Sequence, residues 1–144
     1  MASTYLTRTQ TAGNRKTWTW SGWVKRGNIT NTQMIFMAIS GGAYSVIQFI
    51  GDQIRFFDYN GGFDSQVRTN RVFRDTFSWY NIQVVYNSTE GTTSNRVKIY
   101  VNGVQETSFT TANYPSLNFD GYINADYTHY IGTEAAAGSY FDGY

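Results

Sequence analysis

Along much of the chain, apolar and polar residues alternate over short runs. The alternation is clearest in two neighbouring runs, 79–86 and 95–101, whose apolar members are Tyr80, Ile82 and Val84 in the first and Val97, Ile99 and Val101 in the second. A period of two is that of a β-strand with one buried face. Because a loop rich in Ser, Thr, Asn and Gly separates the runs, the pattern predicts two antiparallel strands.

Other runs carry the same signal, and glycine-rich turns separate them. On a predicted strand over 18–25, Trp18, Trp20 and Val24 share one face. The remaining predicted strands cover 34–39, 44–50, 53–58, 66–72, 104–109 and 127–132, with a further strand beginning at 140. Asn102-Gly103 is the strongest hairpin signal, and 110–126 is predicted to be a loop. About ten short strands without helices favour two antiparallel sheets packed face to face.

Charged residues on these strands are few. Arg55 shares a strand face with Phe57, while Ile54 and Phe56 form the opposite face. A second group consists of three arginines with a neighbouring aspartate, namely Arg68, Arg71, Arg74 and Asp75. Clusters of this kind are usually solvated, so we interpret it as an exposed strand end.

Composition narrows the class of protein. The 144-residue chain fits one domain and is long enough to bury a core. Aromatic residues make up 18% of it and suit half-buried sheet surfaces. The formal net charge is +1, so no general attraction to nucleic acid is predicted. No apolar run is long enough to span a membrane, which predicts no membrane insertion.

Candidate catalytic residues are scarce. The three glutamates, Glu90, Glu106 and Glu134, do not belong to acidic pairs at alternate strand positions. Retaining glycosidases need two carboxylates close together at the scissile bond, so the sequence does not predict an enzyme. His129 is the only histidine and cysteine is absent, which leaves little for a transition-metal or nucleophile site. We expect His129 to be a strand residue hydrogen-bonded to a neighbour.

Several segments resemble a known family. They are 5–9 with 14–26 (NRKTWTWSGWVKR), 71–75 with Trp79-Tyr80, 95–104 (NRVKIYVNGV), and 127–132 with 141–144. Together they resemble the laminin-G-like, concanavalin-A-like jelly rolls of tail-fibre and virion structural proteins of tailed phages. The resemblance implies an all-β, two-sheet antiparallel jelly-roll sandwich, a location in the virion, and binding of host-surface polysaccharide.

One departure from that family concerns the last strand. There, the run corresponding to 141–144 continues into a further apolar strand. Either the chain is a fragment of a longer tail protein, or it is a single domain over 1–144 that lacks the usual last strand and leaves a sheet edge open. An open edge invites strand addition from a neighbouring subunit.

Two loops have the composition of a carbohydrate site. Sugar recognition combines aromatic platforms with planar polar side chains. The residues of this kind are Tyr59, Asn60 and Phe63 in one loop and Tyr114, Asn118, Tyr122, Asn124 and Tyr127 in another. Subunit interfaces favour the same residue types, so the sequence leaves sugar site and interface open.

The same loops offer oxygen ligands for calcium, the one cofactor that the sequence makes a candidate. The carboxylate and amide side chains concerned are Asp58, Asn60, Asp64, Asp120 and Asp126. Hard cations bind such oxygens, although Asp and Asn are also ordinary turn residues.

These observations predict a non-enzymatic structural protein of a phage virion. It would be a tail-fibre or decoration module on the tail or capsid surface, a homo-oligomer in contact with other virion subunits, and a binder of host glycans. The alternative is a self-assembling capsid decoration or filament component without a glycan ligand, completed by strand addition from a neighbour.

Overall fold

Two antiparallel sheets pack face to face in the computed structural model, which describes residues 4–29, 31–136 and 138–144. Short runs of alternating residues separated by tight turns give its strands, because each run can bury only one face. In chain order these are β1 (Leu6–Thr9), β2 (Thr17–Val24), β3 (Gln33–Ser40), β4 (Ala43–Ile50), β5 (Gln53–Asn60), β6 (Phe63–Thr69), β7 (Tyr80–Asn87), β8 (Val97–Val101), β9 (Val104–Gln105), β10 (Phe109–Asn113) and β11 (Thr128–Ile131). A 3₁₀ turn, Thr93–Asn95, precedes β8.

The larger sheet has seven strands in the order β1-β11-β3-β4-β5-β6-β10, and the smaller has four in the order β2-β7-β8-β9. We call them the large and the small sheet. All pairings between these strands are antiparallel. The predicted all-β jelly-roll sandwich is confirmed.

The core lies between the sheets and combines Ile and Val side chains with a cluster of aromatic rings. Trp18 stacks on Tyr86 with ring centroids 4.9 Å apart, and its edge meets Phe56 of the large sheet at 5.6 Å. The predicted inward faces of β7 and β8 are confirmed, since Ile82, Val84, Val97, Ile99 and Val101 are all buried there. Burial of this apolar surface is the main force holding the two sheets together.

The return strand predicted after Asn102-Gly103 is present as β9, but its predicted extension to 109 is wrong. Only Val104 and Gln105 pair with β8, and the chain then crosses to the large sheet as β10. The chain leaves the small sheet at Glu106, whose buried carboxylate pairs with Arg71 of the opposite layer. The loop predicted to begin at 110 therefore begins only after Asn113.

Other boundaries also differ from the prediction. The strand predicted over 66–72 is β6, which begins at Phe63 because the Gly61-Gly62 turn is tight. A bulge opposite Asp58 and Tyr59 accommodates the extra residue. The strand predicted to begin at 140 is reduced to one bridge, between Arg26 and Gly143. In the part of the chain that the structure describes, no helix is long and apolar enough to cross a membrane.

Candidate functional site on the outer face of the large sheet

The large sheet has apolar side chains on both faces. Alternate residues of β4 and β5, such as Ile47 and Phe56, point into the core between the sheets. Their neighbours point the other way and form a separate cluster, whose buried members are Met34, Met37, Val46 and Phe57. We call this side the outer face. A sheet face directed away from the core is normally polar, whereas these four side chains are buried and form a second, smaller core on the outer face.

Three aromatic side chains cross one end of the outer face, one from each of β4, β5 and β6. Cross-strand pairing places Tyr44 beside Tyr59 and Tyr59 beside Phe63. The two tyrosine rings stack with centroids 5.0 Å apart, and the ring of Phe63 meets that of Tyr59 edge-on at 5.4 Å. Phe63 is 47% exposed. These three residues, the aromatic row, present ring surface to solvent on a rigid backbone.

Two arginines lie further along the same strands. Arg55 of β5 and Arg68 of β6 are directly opposite in the ladder, and we call them the arginine pair. The Arg55 guanidinium lies over the ring of Phe57, 4.5 Å from its centroid. Burial, together with the charge of Arg68, lowers the pKa of Arg55. Like charges directly opposite in a sheet are destabilising, so this pair is a cost to the fold.

The arginine pair has no acidic partner among the residues that the structure describes. There, the ion pairs involve other arginines: Arg26 and Arg74 with Asp52, and Arg71 with Glu106. The Arg68 Nε is buried without a hydrogen-bond acceptor.

Neither the neutral neighbour Gln48 nor the acidic neighbour Glu134 compensates the positive charge of the arginine pair. Gln48, with its amide oxygen toward Arg55, accepts hydrogen bonds from Nε at 3.2 Å and Nη2 at 2.7 Å. Glu134 is near enough to contribute to the raised pKa of Tyr44. Its carboxylate accepts a hydrogen bond from Ser139 at 3.1 Å rather than from an arginine.

The residues predicted for the first loop occupy two different positions in the structure. Tyr59 and Phe63 belong to the aromatic row, as strand residues at the two sides of a hairpin. Asn60 lies at the end of β5, next to the turn, where its backbone N–H donates to the Gly62 carbonyl at 3.0 Å. This hairpin places the row at the end of the sheet, where a long ligand has free access from solvent.

The tyrosines predicted in the second loop hold that loop in place. Tyr122 is only 7% exposed, and its hydroxyl donates to Asp64 Oδ2 at 2.9 Å. Burial and the neighbouring Asp64 raise the pKa of Tyr122 to about 12. Tyr127 stacks on it with centroids 6.2 Å apart. Tyr122 therefore connects the two predicted loops but offers little ring surface to a ligand.

The remaining residues predicted for a sugar site are separate from the row. Asn124 has a positive φ of 65° and donates its backbone N–H to His129 Nε2 at 3.2 Å. Asn118, also at positive φ, donates its backbone N–H to the Ser88 carbonyl. Tyr114 is half-buried against the core. A glycan contact by these residues stays a prediction.

His129 has the role that the sequence predicted. Its Nδ1 lies 2.9 Å from the Tyr127 carbonyl, so Nδ1 carries the proton while Nε2 accepts from Asn124. Burial lowers the pKa of His129, which favours this neutral form.

The candidate calcium ligands do not form one shell. Asp58 is fully buried, and its carboxylate accepts hydrogen bonds from the hydroxyls of Ser45 and Ser65. Burial raises the pKa of Asp58 to about 6. Asp64 bonds Tyr122, Asn60 lies at the hairpin, and Asp120 and Asp126 are exposed. Within the described ranges no three acidic or histidine side chains converge on a metal position, and calcium binding stays a prediction.

Sequence reasoning missed Tyr44 and the arginine pair. The signal was available for Arg55, because the alternation placed it on one face with Phe57. The interpretation of the group formed with Asp75 as solvated fits Arg71, Arg74 and Asp75, which are exposed, and is wrong for Arg68. Arg68 lies half-buried on the outer face, whereas Arg71 and Arg74 pair with acids on other segments.

Solved structures with a similar fold come from animal and bacterial proteins. Mouse laminin alpha1 chain, domains LG4-5, matches with a TM-score of 0.64 and 14% identity over 94% of this chain and 33% of that one. The LG1-3 region of the laminin alpha2 chain matches with a TM-score of 0.54 and 14% identity, over 96% of this chain and 28% of that one. Botulinum neurotoxin type C, whose cell entry depends on interaction with two ganglioside molecules, matches with a TM-score of 0.54 and 19% identity. The match covers 81% of this chain and 27% of that one.

The chain spans about a third or less of the length of these structures. A search of curated protein sequences gives no significant match. A laminin G family model, described as the concanavalin A-like lectin/glucanases superfamily, matches residues 2–144. With a two-sheet antiparallel sandwich and a family model covering nearly its whole length, the chain belongs to the laminin G-like family of the concanavalin A-like superfamily.

Proposed function

We propose that the outer face of the large sheet binds an anionic polysaccharide, and that the chain is a non-enzymatic binding component of a phage virion. The observation that carries the first part is the aromatic row beside an uncompensated arginine pair. Stacked rings offer flat apolar surface for sugar rings, and such platforms with a few polar groups are typical of ligand sites. The phage context rests on the resemblance of 5–26, 71–80, 95–104 and 127–144 to tail-fibre and virion proteins.

The arginine pair favours an anionic over a neutral glycan. A guanidinium presents a planar fork that matches carboxylate or sulfate oxygens. A bound anion would offset the repulsion between Arg55 and Arg68. The Phe57 ring beneath Arg55 keeps water away from one side of its guanidinium and strengthens such an ion pair.

Binding without hydrolysis is consistent with the distribution of carboxylates. Retaining glycosidases hold two carboxyl groups about 5–5.5 Å apart. Near the aromatic row, Asp58 faces the interior, Asp64 is engaged by Tyr122, and Glu134 is engaged by Ser139. The ganglioside dependence of botulinum neurotoxin type C supports the proposal only in showing that a similar fold occurs in a glycan-dependent protein.

A set of matched variants tests the glycan site. Calorimetric titration would use a carboxylated polysaccharide, a sulfated one and neutral dextran, at low and moderate salt. Tyr59→Ala should weaken binding of the anionic polymers at least tenfold, because it removes the central ring of the row. Arg68→Met should weaken it similarly and reduce its salt dependence. Phe77→Ala removes a ring that is 87% exposed in the loop before β7, and it should change nothing.

Three results would contradict the proposal. They are no binding of any polymer by wild-type protein, binding by Tyr59→Ala as tight as that of wild type, and a loss of affinity in Phe77→Ala as large as that in Tyr59→Ala. The virion location needs a separate test, by immunogold electron microscopy of phage particles with an antibody against this chain. Labelled particles support that location, and unlabelled particles with labelled host cells oppose it.

A further inference from the structure

Two amide side chains lie on the outer face between the aromatic row and the arginine pair. Gln66 of β6 and Asn113 of β10 are directly opposite each other in the ladder, and Gln66 is also opposite Phe57. The neighbours of Gln66 along β6, Ser65 and Val67, are completely buried on the core side. Because side chains alternate along a strand and cross-strand neighbours share a face, both amides lie on the outer face.

These two amides are available to a ligand. Gln66 is half-buried and Asn113 is exposed. Within the described part of the chain, neither side-chain amide makes a hydrogen bond. An amide offers both donors and an acceptor, which is the combination that sugar hydroxyl groups require. Together with the rings of the aromatic row, the amides give this surface the planar polar groups of a specific site.

The Arg55 guanidinium lies close to the aromatic row, because the side chain bends along its strand. It lies over the ring of Phe57 and is 5.9 Å from the ring centroid of Phe63. The Gln48 oxygen occupies one edge of the guanidinium, formed by Nε and Nη2. The edge formed by Nη1 and Nη2 is left, and its two parallel N–H groups match the geometry of a carboxylate.

The short distance between Phe63 and the Arg55 guanidinium limits how a ligand can carry its charge. A sugar ring stacked on Phe63 places its own edge beside the guanidinium. A carboxylate attached directly to that ring reaches the guanidinium edge, and it is planar like the guanidinium. A charge on a longer arm, or on the next sugar residue, would extend past it.

We propose that the ligand of the outer face is a polyuronate, a polysaccharide whose sugar rings carry the carboxylate directly. This ligand class rests on the anionic glycan site proposed above. The stacked ring and the bound charge then belong to the same sugar residue, with the ring on Phe63 and the carboxylate on Arg55. Gln66 and Asn113 bind hydroxyl groups of that residue. Arg68 adds positive potential that attracts the polymer.

The test compares polymers that are matched in charge per sugar residue and differ in where the charge is attached. Polyglucuronate, polygalacturonate and alginate carry a carboxylate on the ring, carboxymethyl dextran carries it on a flexible arm, and dextran sulfate carries sulfate esters. In calorimetric titrations of the full chain, at least one polyuronate should bind about tenfold more tightly than both dextran derivatives. Methyl-esterified polygalacturonate keeps the rings without the charge and should bind no better than neutral dextran.

Variants of the site test which groups give this preference. Arg55→Lys keeps the positive charge but lacks the two parallel N–H groups, so the affinity for the polyuronate should fall about tenfold, to that for carboxymethyl dextran. Gln66→Ala and Asn113→Ala should each weaken polyuronate binding roughly threefold, because a hydroxyl group loses its partner. Gln83→Ala is the matched control, since this amide lies on β7 of the small sheet, and it should change nothing. Circular dichroism checks the fold of each variant.

The possible failures separate the ligand class from the proposed function. Equal binding of the polyuronates, carboxymethyl dextran and dextran sulfate would overturn the polyuronate and leave an anionic glycan site. A polyuronate preference that is unchanged in Arg55→Lys would also overturn it, because the carboxylate would then be bound elsewhere. If none of the polymers binds, both the ligand class and the glycan site are wrong.

Discussion

Charged side chains in two regions of this molecule differ in whether the chain itself supplies their partners. In the interior, Arg26 and Asp58 each have several partners from the chain itself. On the outer face of the large sheet, Arg55 and Arg68 lie side by side, and none of the acidic groups in the described part of the chain pairs with them. A charge that serves the fold is surrounded by the fold's own partners. A charge left without such partners on an apolar surface indicates that a ligand supplies the opposite charge.

Arg26 shows how complete the interior arrangement is. Its side chain is 1% exposed, and it donates to the carbonyls of Phe73 and Gly51 at 2.9 Å each and to Gln33 Oε1 at 3.2 Å. The guanidinium also lies 4.3 Å from the centroid of Phe49, with Asp52 at 3.9 Å. Burial lowers its pKa, but these contacts hold the charge in place.

The largest effect we expect comes from breaking this arrangement. Arg26→Met should lower the free energy of unfolding by about 3–5 kcal/mol, because buried carbonyls and Gln33 lose their donor. Urea unfolding followed by tryptophan fluorescence measures this. Arg55→Met is the matched control from the outer face and should cost less than about 1 kcal/mol. Equal losses in the two variants would remove the contrast between the regions.

The second interior charge predicts a pH dependence. Asp58 has a pKa of about 6 in the folded protein against 3.8 as a reference, so the folded state binds its proton more tightly. The resulting stabilisation is complete below pH about 4 and is lost as pH rises through 6. A shift of about two pH units corresponds to about 3 kcal/mol.

Asp58→Asn isolates this effect, because an amide can still bond both serines without carrying charge. The stability difference between Asp58→Asn and wild type should grow by about 3 kcal/mol in favour of the variant from pH 4 to pH 7.5. His129 titrates in both proteins and cancels in the difference. A flat difference for Asp58→Asn would contradict the raised pKa.

The sequence predicted the fold well where the alternation alone decides structure. The faces of β2, β5, β7 and β8 follow from the period of two, because a strand buries every second residue whichever sheet it joins. The alternation cannot show where the chain changes sheets. The crossing after Gln105 depends on the pairing of Glu106 with Arg71, two residues far apart in sequence.

The candidate site could be predicted only in part for a similar reason. Tyr59 and Phe63 attract notice because they flank a glycine turn. Tyr44, Arg55 and Arg68 come from three strands and form a surface only through the register of the large sheet. Tyr122 was predicted on composition alone, and its burial depends on the bond to Asp64, which no local pattern shows.

The smallest expected effect is also the most specific to the outer face. Arg68→Met relieves the repulsion with Arg55, so its stability should lie within about 1 kcal/mol of wild type. Wild-type protein should be stabilised more by sodium sulfate than by sodium chloride at equal ionic strength, because sulfate can bridge two guanidinium groups. In Arg68→Met the extra stabilisation by sulfate relative to chloride should shrink. Arg74→Met should keep this extra stabilisation, because it changes an exposed arginine that is paired with Asp52. If Arg68→Met keeps the full excess, the stabilisation by sulfate is a general salt effect. The arginine pair would then be only a tolerated defect of the sheet.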